Sequence, residues 1–298
     1  MRTEAVPAPA VPESGQVTVV CEGLVRVYRS GTGEAHALRG VDVTFRAGAV
    51  TAIAGPSGSG KSSLLRMLAL QDLPSAGRLV LLGNDVGSLR RRGVRRLRRR
   101  HVSFVEQRSS RGLFPHLTAA EHVHQVAVLR ADDGAAAPGR RSSGRALDAM
   151  AVLRTVGLEH RAGSRPATLS GGEQQRLAVA LALLGTPDVV VADEPTAELD
   201  HDNTDAVLAA LAGAADRGST VVLSTHDERA LRVADRVLRL RHGVLSSEQV
   251  LRGHHLATID STGRVQLPPD ALLHFPDGRA LLDVTEDGVV LRRPDGTP

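Results

Sequence analysis

Lysine is almost missing from this chain, because Lys61 is the only one of its 37 basic residues that is not an arginine. Aromatic side chains are scarce as well, at 2% of the sequence, with no tryptophan and a single tyrosine, Tyr28. The core must therefore be built from aliphatic residues, and a hydrophobic content of 42% is enough for a sizeable one. A residue type that is avoided everywhere else but kept once calls for a functional explanation.

A single cysteine, Cys21, excludes an intrachain disulfide and suits a reducing cytoplasm. Residues 1–16 are rich in proline and alanine and contain no apolar segment, so we expect a disordered tail and no signal peptide. No run approaches the roughly eighteen apolar residues that a membrane-spanning helix needs. We therefore expect a soluble chain.

Short apolar runs alternate with helical stretches along most of the sequence, a pattern that is typical of an α/β domain with a parallel sheet. Strands are predicted at 49–54, 78–82, 101–105, 189–192, 220–223 and 236–240. Helices are predicted at 61–70, 117–130, 145–156, 172–184 and 203–215. Two further strands, at 17–24 and 41–45, predict a small antiparallel sheet, and 131–144 is typical of a flexible insertion.

Residues 55–62, GPSGSGKS, match the phosphate-binding loop pattern G-x-x-x-x-G-K-[ST]. Glycines let the backbone wrap around phosphate oxygens, and the N-terminus of the following helix adds a partial positive charge. Lys61 can reach the β- and γ-phosphates of a nucleotide, and Ser62 can offer its hydroxyl to Mg²⁺. A purely structural glycine turn is the alternative, and the position of the loop between a strand and a helix disfavours it.

Residues 189–196, VVVADEPT, form an apolar run that ends in two acids. Such a run is typical of a strand buried on both faces, which places the acids at the sheet edge where open α/β folds bind ligands. Asp193 is then a candidate for the Mg²⁺ shell, and Glu194 is a candidate for polarising the attacking water. A solvated loop is the alternative for an isolated acidic pair, and the phosphate loop disfavours it.

Residues 169–176, LSGGEQQR, open a predicted helix. Ser170 is well placed as its N-cap, and the two glycines leave backbone N–H groups open to an anion. A capping box would explain Ser170 and Glu173, but not the two glycines, which lower helix propensity. The segment is therefore a candidate for a second phosphate site that has no lysine of its own.

The segment LSGGEQQR resembles the signature motif of ATP-binding cassette (ABC) ATPases, and its spacing before VVVADEPT is that of the family. The resemblance extends from residue 17 to about residue 247. Tyr28 resembles the aromatic residue that stacks on adenine, and Gln107, after the predicted strand, resembles the glutamine of the Q-loop. Asp200, in the segment AELD, resembles the D-loop, and His226 resembles the switch histidine.

The resemblance implies an α/β P-loop NTPase fold of the ABC type that binds and hydrolyses ATP with Mg²⁺. This fold would consist of a cassette over 17–247, with an antiparallel β subdomain and a helical signature subdomain at about 108–170, and of a small β-rich appendage over 248–298. The expected catalytic residues are Lys61, Gln107, Glu194 and His226. The expected Mg²⁺ ligands are Ser62, Gln107 and Asp193. The expected nucleotide contacts are Tyr28, Gly55, Pro56, Ser57, Gly58, Ser59, Gly60, Lys61, Ser62, Ser63, Ser170, Gly171, Gly172, Glu173 and Asp200.

The resemblance also implies that two cassettes, as a homodimer or a paired cassette, close around ATP, with the phosphate loop of one facing Ser170 and Gly172 of the other. A separate transmembrane permease is implied, and with it a chain that is cytoplasmic and peripheral on the inner face of the cell membrane. The segments 31–45 and 55–72 are most similar to the macrolide-export, lipoprotein-release and cell-division branch, so export is expected. The alternative is an ABC ATPase for transmembrane signalling, or a soluble regulatory ATPase without transport.

Residues 89–100 contain eight arginines, which suggests contact with nucleic acid or anionic lipid. We favour the alternative of a solvated arginine-rich helix, and the lack of interleaved aromatics disfavours nucleic acid.

The C-terminal tail is a separate question. Its segment 258–268, followed by predicted strands at 280–284 and 289–292, resembles the AbrB-like swapped-hairpin fold, whose free-standing members are dimeric DNA binders. Nucleic acid therefore stays open as a partner of the tail, and a β-rich cap on the cassette is the alternative.

Overall fold

The computed structural model of the chain describes residues 15–30, 33–108, 112–131, 149–197, 199–250, 254–256, 273–275, 279–285 and 288–292. The strands are β1 (Val17–Ser30), β2 (Gly33–Arg46), β3 (Val50–Ala54), β4 (Ala76–Leu81), β5 (Asn84–Asp85), β6 (Val102–Val105), β7 (Val189–Asp193), β8 (Thr220–Ser224), β9 (Arg236–Arg241), β10 (Val244–Val250), β11 (His254–Leu256), β12 (Leu281–Thr285) and β13 (Gly288–Arg292). The helices are α1 (Lys61–Leu68), α2 (Arg91–His101), α3 (Ala119–Ala131), α4 (Ala149–Arg154), α5 (Gly171–Leu183), α6 (His201–Asp216) and α7 (Glu228–Val233).

The main sheet has seven strands in the order β11-β10-β9-β3-β8-β7-β6. The strands from β9 to β6 in this order run parallel, and β10 continues the sheet as an antiparallel neighbour of β9. Every residue of β3, β7 and β8 is buried, because helices cover both faces of the sheet. Ile53 and Val191 pack with α1 on one face, whereas Ala52 and Val190 pack with α6 on the other.

A second sheet, in the order β2-β1-β4-β5, is antiparallel and shares the core around α1. This is the predicted small antiparallel sheet, with longer strands than the sequence indicated. Cys21 lies buried on β1, and its burial raises the pKa of the thiol well above the ordinary value. The thiol therefore stays protonated and unreactive in the folded chain.

A third core belongs to a helical subdomain and contains Leu113, Val123, Leu153 and one face of α5, which includes Leu181. The other face of α5 packs on the main sheet, through residues such as Val179. One helix therefore connects the helical subdomain to the sheet. The predicted insertion at 131–144 lies outside the described residues, apart from the last residue of α3.

Besides these longer strands, two further differences from the predicted strand limits concern His101 and residue 247. His101 was predicted to begin a strand, but it ends α2, and its Nδ1 lies 2.8 Å from Asp188 Oδ2 at the start of β7. The predicted cassette boundary at residue 247 falls inside β10, which pairs with both β9 and β11. The main sheet therefore continues to Leu256, because β10 pairs with β11 on the side away from β9.

The C-terminal region contributes an antiparallel hairpin, β12–β13, close to the predicted strands. Leu281, Leu282, Val289 and Val290 are exposed on it, and adjacent residues of a strand point to opposite faces. The segment 258–268, which carries the resemblance to the AbrB-like fold, lies outside the described residues. In the described part of the chain, no helix has the length and apolar character needed to cross a bilayer.

Candidate functional site

The predicted catalytic residues follow four adjacent strands of the main sheet. The phosphate loop follows β3, and His226 lies two residues after β8. Glu194 follows β7, and Gln107 lies two residues after β6. Because β3, β8, β7 and β6 are parallel and adjacent in this order, their carboxyl ends meet along one edge. The strand order, with neighbours about 4.8 Å apart, thus brings the four elements together along roughly 15 Å.

The phosphate loop has a backbone that only glycine can supply at its two ends. Gly55 has φ 155°, and a Cβ there would clash with Leu240 O on β9. Gly60 has φ 104°, and a Cβ there would clash with Ala37 O on β2. The loop is therefore held between the two sheets at a distance that excludes any side chain.

The middle of the loop faces outward. Pro56, Ser57 and Gly58 are exposed, whereas Ser59 is buried and its Oγ has no hydrogen-bond partner in the described part of the chain. Gly243 N donates to Ser59 O over 3.0 Å, so the turn between β9 and β10 holds the loop in place. This cradle of glycines and outward-facing residues suits the close approach of phosphate oxygens.

The Lys61 side chain folds back over this loop. Its Nζ donates to Gly55 O at 2.8 Å and to Pro56 O at 3.1 Å, so the ammonium group is held at the backbone of the loop. Ser62, the next residue of α1, is exposed beside it, and Ser63 is half-buried. The first turn of α1 therefore presents an ammonium group and a hydroxyl to the same edge of the sheet.

Asp193 and Glu194 are oriented by one hydroxyl group that the sequence analysis did not single out. Ser224, the last residue of β8, is fully buried, and its Oγ donates to Asp193 Oδ1 at 2.6 Å. The same Oγ accepts the Glu194 N–H at 3.0 Å. Asp193 is itself 8% exposed, so its carboxylate is held at the edge with one oxygen already hydrogen-bonded. Ser224 lies two residues before His226, and that position was the only available signal.

Glu194 and His226 form a pair at the sheet edge. Glu194 Oε2 lies 2.9 Å from His226 Nδ1, and the side chains are 12% and 78% exposed respectively. Glu194 adopts a left-handed backbone with φ 49°, which is uncommon outside glycine. Two bonds hold this conformation, because the Glu194 N–H lies within reach of both Ser224 O and Ser224 Oγ. A carboxylate that is oriented by a histidine is suited to aligning a water molecule.

Tyr28 lies beside the first turn of α1, with its hydroxyl 3.4 Å from Ser63 Oγ and 3.0 Å from Asp72 Oδ2. The Arg26 guanidinium lies 4.5 Å from the centre of the Tyr28 ring. Arg26 also pairs with Asp72 at 3.3 Å and donates to Leu73 O at 2.9 Å. The tyrosine is thus fixed by a cation–π contact and a hydrogen bond, and neither Arg26 nor Asp72 was identified from the sequence.

The predicted signature residues lie elsewhere, at the N-terminus of α5. Ser170 is exposed and forms a complete capping box, in which Glu173 Oε2 accepts the Ser170 N–H at 2.8 Å. Arg161 holds the other oxygen of Glu173 at 2.8 Å. Burial raises the pKa of Glu173, but the Ser170 N–H and Arg161 outweigh it, so the pKa lies below its ordinary value. The negative charge of Glu173 is therefore neutralised by groups of the same chain, the Ser170 N–H and the Arg161 guanidinium.

Among the described residues, no hydrogen bond or ion pair joins the α5 N-terminus to the phosphate loop. Gly171 and Gly172 lie in the first turn, where backbone N–H groups have no acceptor inside the helix. Asp200 caps α6, accepting from Asn203 N at 2.9 Å and from Asn203 Nδ2 at 2.7 Å. Glu198, in the same predicted D-loop, is outside the described part. The structure thus gathers the residues that follow the parallel strands at one sheet edge, whereas the signature residues lie at the N-terminus of α5.

A glycine loop between a buried parallel strand and a helix, with an acidic pair at the carboxyl end of another parallel strand of the same sheet, defines a P-loop nucleoside triphosphatase. The family model described as "ABC transporter" matches residues 38–197 of the chain. The lipoprotein-releasing system ATP-binding protein LolD of Ruegeria sp. is 40% identical over 232 residues, which cover 77% of this chain and 98% of that protein. This chain belongs to the ABC transporter family and is an ABC-type ATPase.

This chain also matches part of a longer relative. The macrolide export ATP-binding/permease protein MacB of Nitrobacter winogradskyi is 40% identical over 76% of this chain, but the match covers only 34% of that protein. Among solved structures, the dimeric post-hydrolysis state of the ATP-binding cassette MJ0796 bound to ADP and Pi has a TM-score of 0.70 and 31% identity. That match covers 79% of this chain and all of the MJ0796 chain.

Proposed function

We propose that this chain is the ATP-hydrolysing subunit of an export-type transporter, working as two cassettes beneath a separate permease at the inner face of the cell membrane. The observation that carries the proposal is the division of the site. The phosphate loop, acidic pair and histidine share one sheet edge, whereas the signature residues cap a helix of another core. A second cassette supplies what each edge lacks.

The phosphate loop and α1 suit a nucleoside triphosphate with Mg²⁺. Mg²⁺ prefers oxygen ligands and is usually held by one or two carboxylates together with substrate phosphates. Asp193, Ser62 and Gln107 offer a carboxylate, a hydroxyl and an amide oxygen from three neighbouring elements, and we assign the ion to them. When bound, Mg²⁺ neutralises charge on the phosphates. Lys61 adds a point charge at the loop.

Glu194 orients the attacking water in this proposal, and His226 holds the carboxylate in place. The 2.9 Å contact between the two side chains leaves the second oxygen of Glu194 for the water. Ser224 fixes the Asp193 carboxylate relative to the Glu194 backbone, because its hydroxyl donates to Asp193 Oδ1 and accepts the Glu194 N–H. Ser224 is therefore a positioning residue rather than a nucleotide contact.

The separate permease is supported by the two kinds of relative. LolD is named as an ATP-binding protein and is matched over nearly its whole length, whereas MacB is named as a joint ATP-binding and permease protein. The chain spans about one third of MacB, so the activity of the whole MacB protein enters only as part of this proposal. We further propose that the cassette ends with β11 and that the β12–β13 hairpin belongs to a separate appendage.

Ser170→Arg tests whether the signature residues act on the other cassette. The variant should bind ATP like the wild type but fail to hydrolyse it, because a bulky cation blocks closure at the α5 N-terminus. Loss of the N-cap costs about 1 kcal/mol, so thermal unfolding should confirm that the variant is folded.

Mixing equal amounts of Ser170→Arg and Lys61→Ala chains completes this test. Half of randomly formed pairs contain one chain of each kind, and each such pair has one intact site out of two. Phosphate release should recover to about a quarter of the wild-type rate. Inactivity of the mixture at all ratios would contradict a site shared between chains.

Arg26 offers a test of the adenine contact that we assign to Tyr28. The Arg26 guanidinium covers one face of the ring, and the proposal leaves the other face for adenine. Arg26→Ala should raise KM for ATP about two- to fivefold with little change in kcat, matching the 0.5–1 kcal/mol of an exposed cation–π contact. Arg29→Ala, an exposed change on the same strand, is the matched control. If the Arg26→Ala and Arg29→Ala variants have equal KM and kcat for ATP, the contact between Arg26 and Tyr28 does not contribute to nucleotide binding.

A further inference from the structure

Arg130, in the last turn of α3, is a partly buried arginine that joins three elements away from the phosphate loop. Its Nη2 donates to Ser103 Oγ on β6 at 2.5 Å and to Ala182 O in the last turn of α5 at 3.3 Å. The aliphatic part of the same side chain packs on Gly185, where an added Cβ would lie 3.1 Å from Arg130 Cδ. One side chain of the helical subdomain therefore reaches the main sheet, the end of α5 and the turn that follows it.

The guanidinium of Arg130 carries its charge into this position without an acid. Burial lowers its pKa below the ordinary value, and no carboxylate among the described residues opposes that shift. The C-terminal end of α5 favours a cation, but an unbranched apolar side chain such as methionine would fill the same space without a desolvation cost. Apolar packing fixes how close two elements lie, whereas hydrogen bonds to both of them also fix a direction. The arginine is therefore better explained by direction than by stability alone.

The elements that Arg130 contacts carry residues of both halves of the ATP site. On β6, Gln107 lies four residues beyond Ser103. The turn at Gly185 leads into β7, which pairs with β6 and ends in Asp193. At its opposite end, α5 begins after Ser170. A change at Arg130 therefore alters how the signature residues are directed relative to the ends of β6 and β7.

The length of α5 magnifies a small change at this contact. Ser170 and Ala182 are separated by about 18 Å of helix, at 1.5 Å per residue. A tilt of about 10° around the Ala182 end would move Ser170 by about 3 Å. A misplacement of about 1 Å can already cost about 100-fold in rate. The apolar contacts of α5 limit such a tilt, and the hydrogen bonds at its end limit it further.

We propose that Arg130 is a positioning residue, which fixes the direction of α5, and so of the signature residues, relative to the catalytic edge of the sheet. The inference rests on the proposed function, because it concerns the closure of two cassettes around ATP. Arg130 acts through Ser103 and Ala182 in this role and contacts neither the nucleotide nor the attacking water. An ordinary stabilising contact is the alternative, and it predicts a loss of thermal stability without a change in closure.

The test compares ATP affinity, kcat and dimer formation in variants of the full-length chain. Arg130→Met keeps the apolar stem but removes both hydrogen bonds, so kcat should fall about three- to thirtyfold while the Kd for ATP stays within about twofold. In the Glu194→Gln background, the same change should reduce the amount of ATP-bound dimer. Arg130→Lys keeps the charge and a donor, so it should recover part of the lost rate. Arg154→Met, at an exposed arginine of α4 in the same subdomain, is the matched control and should leave kcat unchanged.

Ser103→Ala tests the contact with β6 on its own, and it carries the test if Arg130→Met does not fold. It should lower kcat without changing ATP affinity, and the double variant should be no slower than Arg130→Met alone, because the contact is already lost. Independent, multiplying effects of the two changes would overturn the positioning role. So would an Arg130→Met chain that unfolds at a lower temperature but keeps wild-type kcat and dimer formation. The wild-type chain is measured in parallel, and its failure to hydrolyse ATP or to pair would contradict the proposed function instead.

Discussion

Lys61→Ala is expected to abolish ATP binding at concentrations that saturate the wild-type chain. No other lysine exists in the sequence, and the arginines that could compensate do not contact the phosphate loop in the described structure. Removing one partner of a hydrogen-bonded charge pair costs about 2–5 kcal/mol, which weakens binding roughly 30- to 5000-fold. Isothermal titration calorimetry with ATP and Mg²⁺ measures the loss directly.

The matched control for this change is Arg66→Ala, which removes a cation from the exposed side of the same helix. It should leave ATP affinity within about twofold of the wild type, because an exposed charge away from the phosphates is screened. Lys61→Arg adds a second comparison, since it keeps the charge but replaces a compact ammonium with a planar fork. If the Lys61→Ala chain binds ATP with wild-type affinity, the phosphate loop is not the nucleotide-binding site.

Glu194→Gln should nearly stop hydrolysis while ATP binding survives. The amide keeps the size of the side chain and its contact with His226, but it no longer accepts a proton or aligns water as a carboxylate does. General-base contributions are typically about 10²- to 10⁴-fold, so we expect phosphate release to fall by at least about 100-fold. The ATP-bound chains should then accumulate as dimers, measured by size exclusion with light scattering.

Glu228→Gln is the control for Glu194, because Glu228 lies two residues beyond His226 and is almost fully exposed. Its replacement removes a nearby negative charge without touching the sheet edge, and the hydrolysis rate should stay close to that of the wild type. If Glu194→Gln and Glu228→Gln chains both turn over at the wild-type rate, Glu194 has no part in aligning water.

The positions of the catalytic residues along the edge could be predicted because buried parallel strands have a clear sequence pattern. Runs such as 189–192 are continuous and apolar, and the residues that follow them must lie at the carboxyl ends. The order of the strands cannot be obtained this way. Ser224 bridges Asp193 and Glu194 only because β8 pairs with β7, and this pairing depends on packing between distant parts of the chain.

Other differences have local causes. Arg26 and Tyr28 lie two residues apart on β1, so a shared face was open to prediction from strand periodicity. Asp72 contacts Arg26 and Tyr28 only because the segment after α1 folds against β1. The strand β10 escaped prediction because its centre is Ser-Ser-Glu-Gln, which lacks the continuous apolar run that marks strands such as β7.

The burial of Cys21 makes the chain convenient for reporter chemistry. Its thiol is enclosed in the core and held protonated, so maleimides react with it far more slowly than with an exposed thiol. A cysteine introduced on the exposed surface of the helical subdomain would carry a fluorophore or spin label selectively, with the native residue left in place. Distances between two such labels in a pair of chains would then test whether the two cassettes open and close in solution, as we propose.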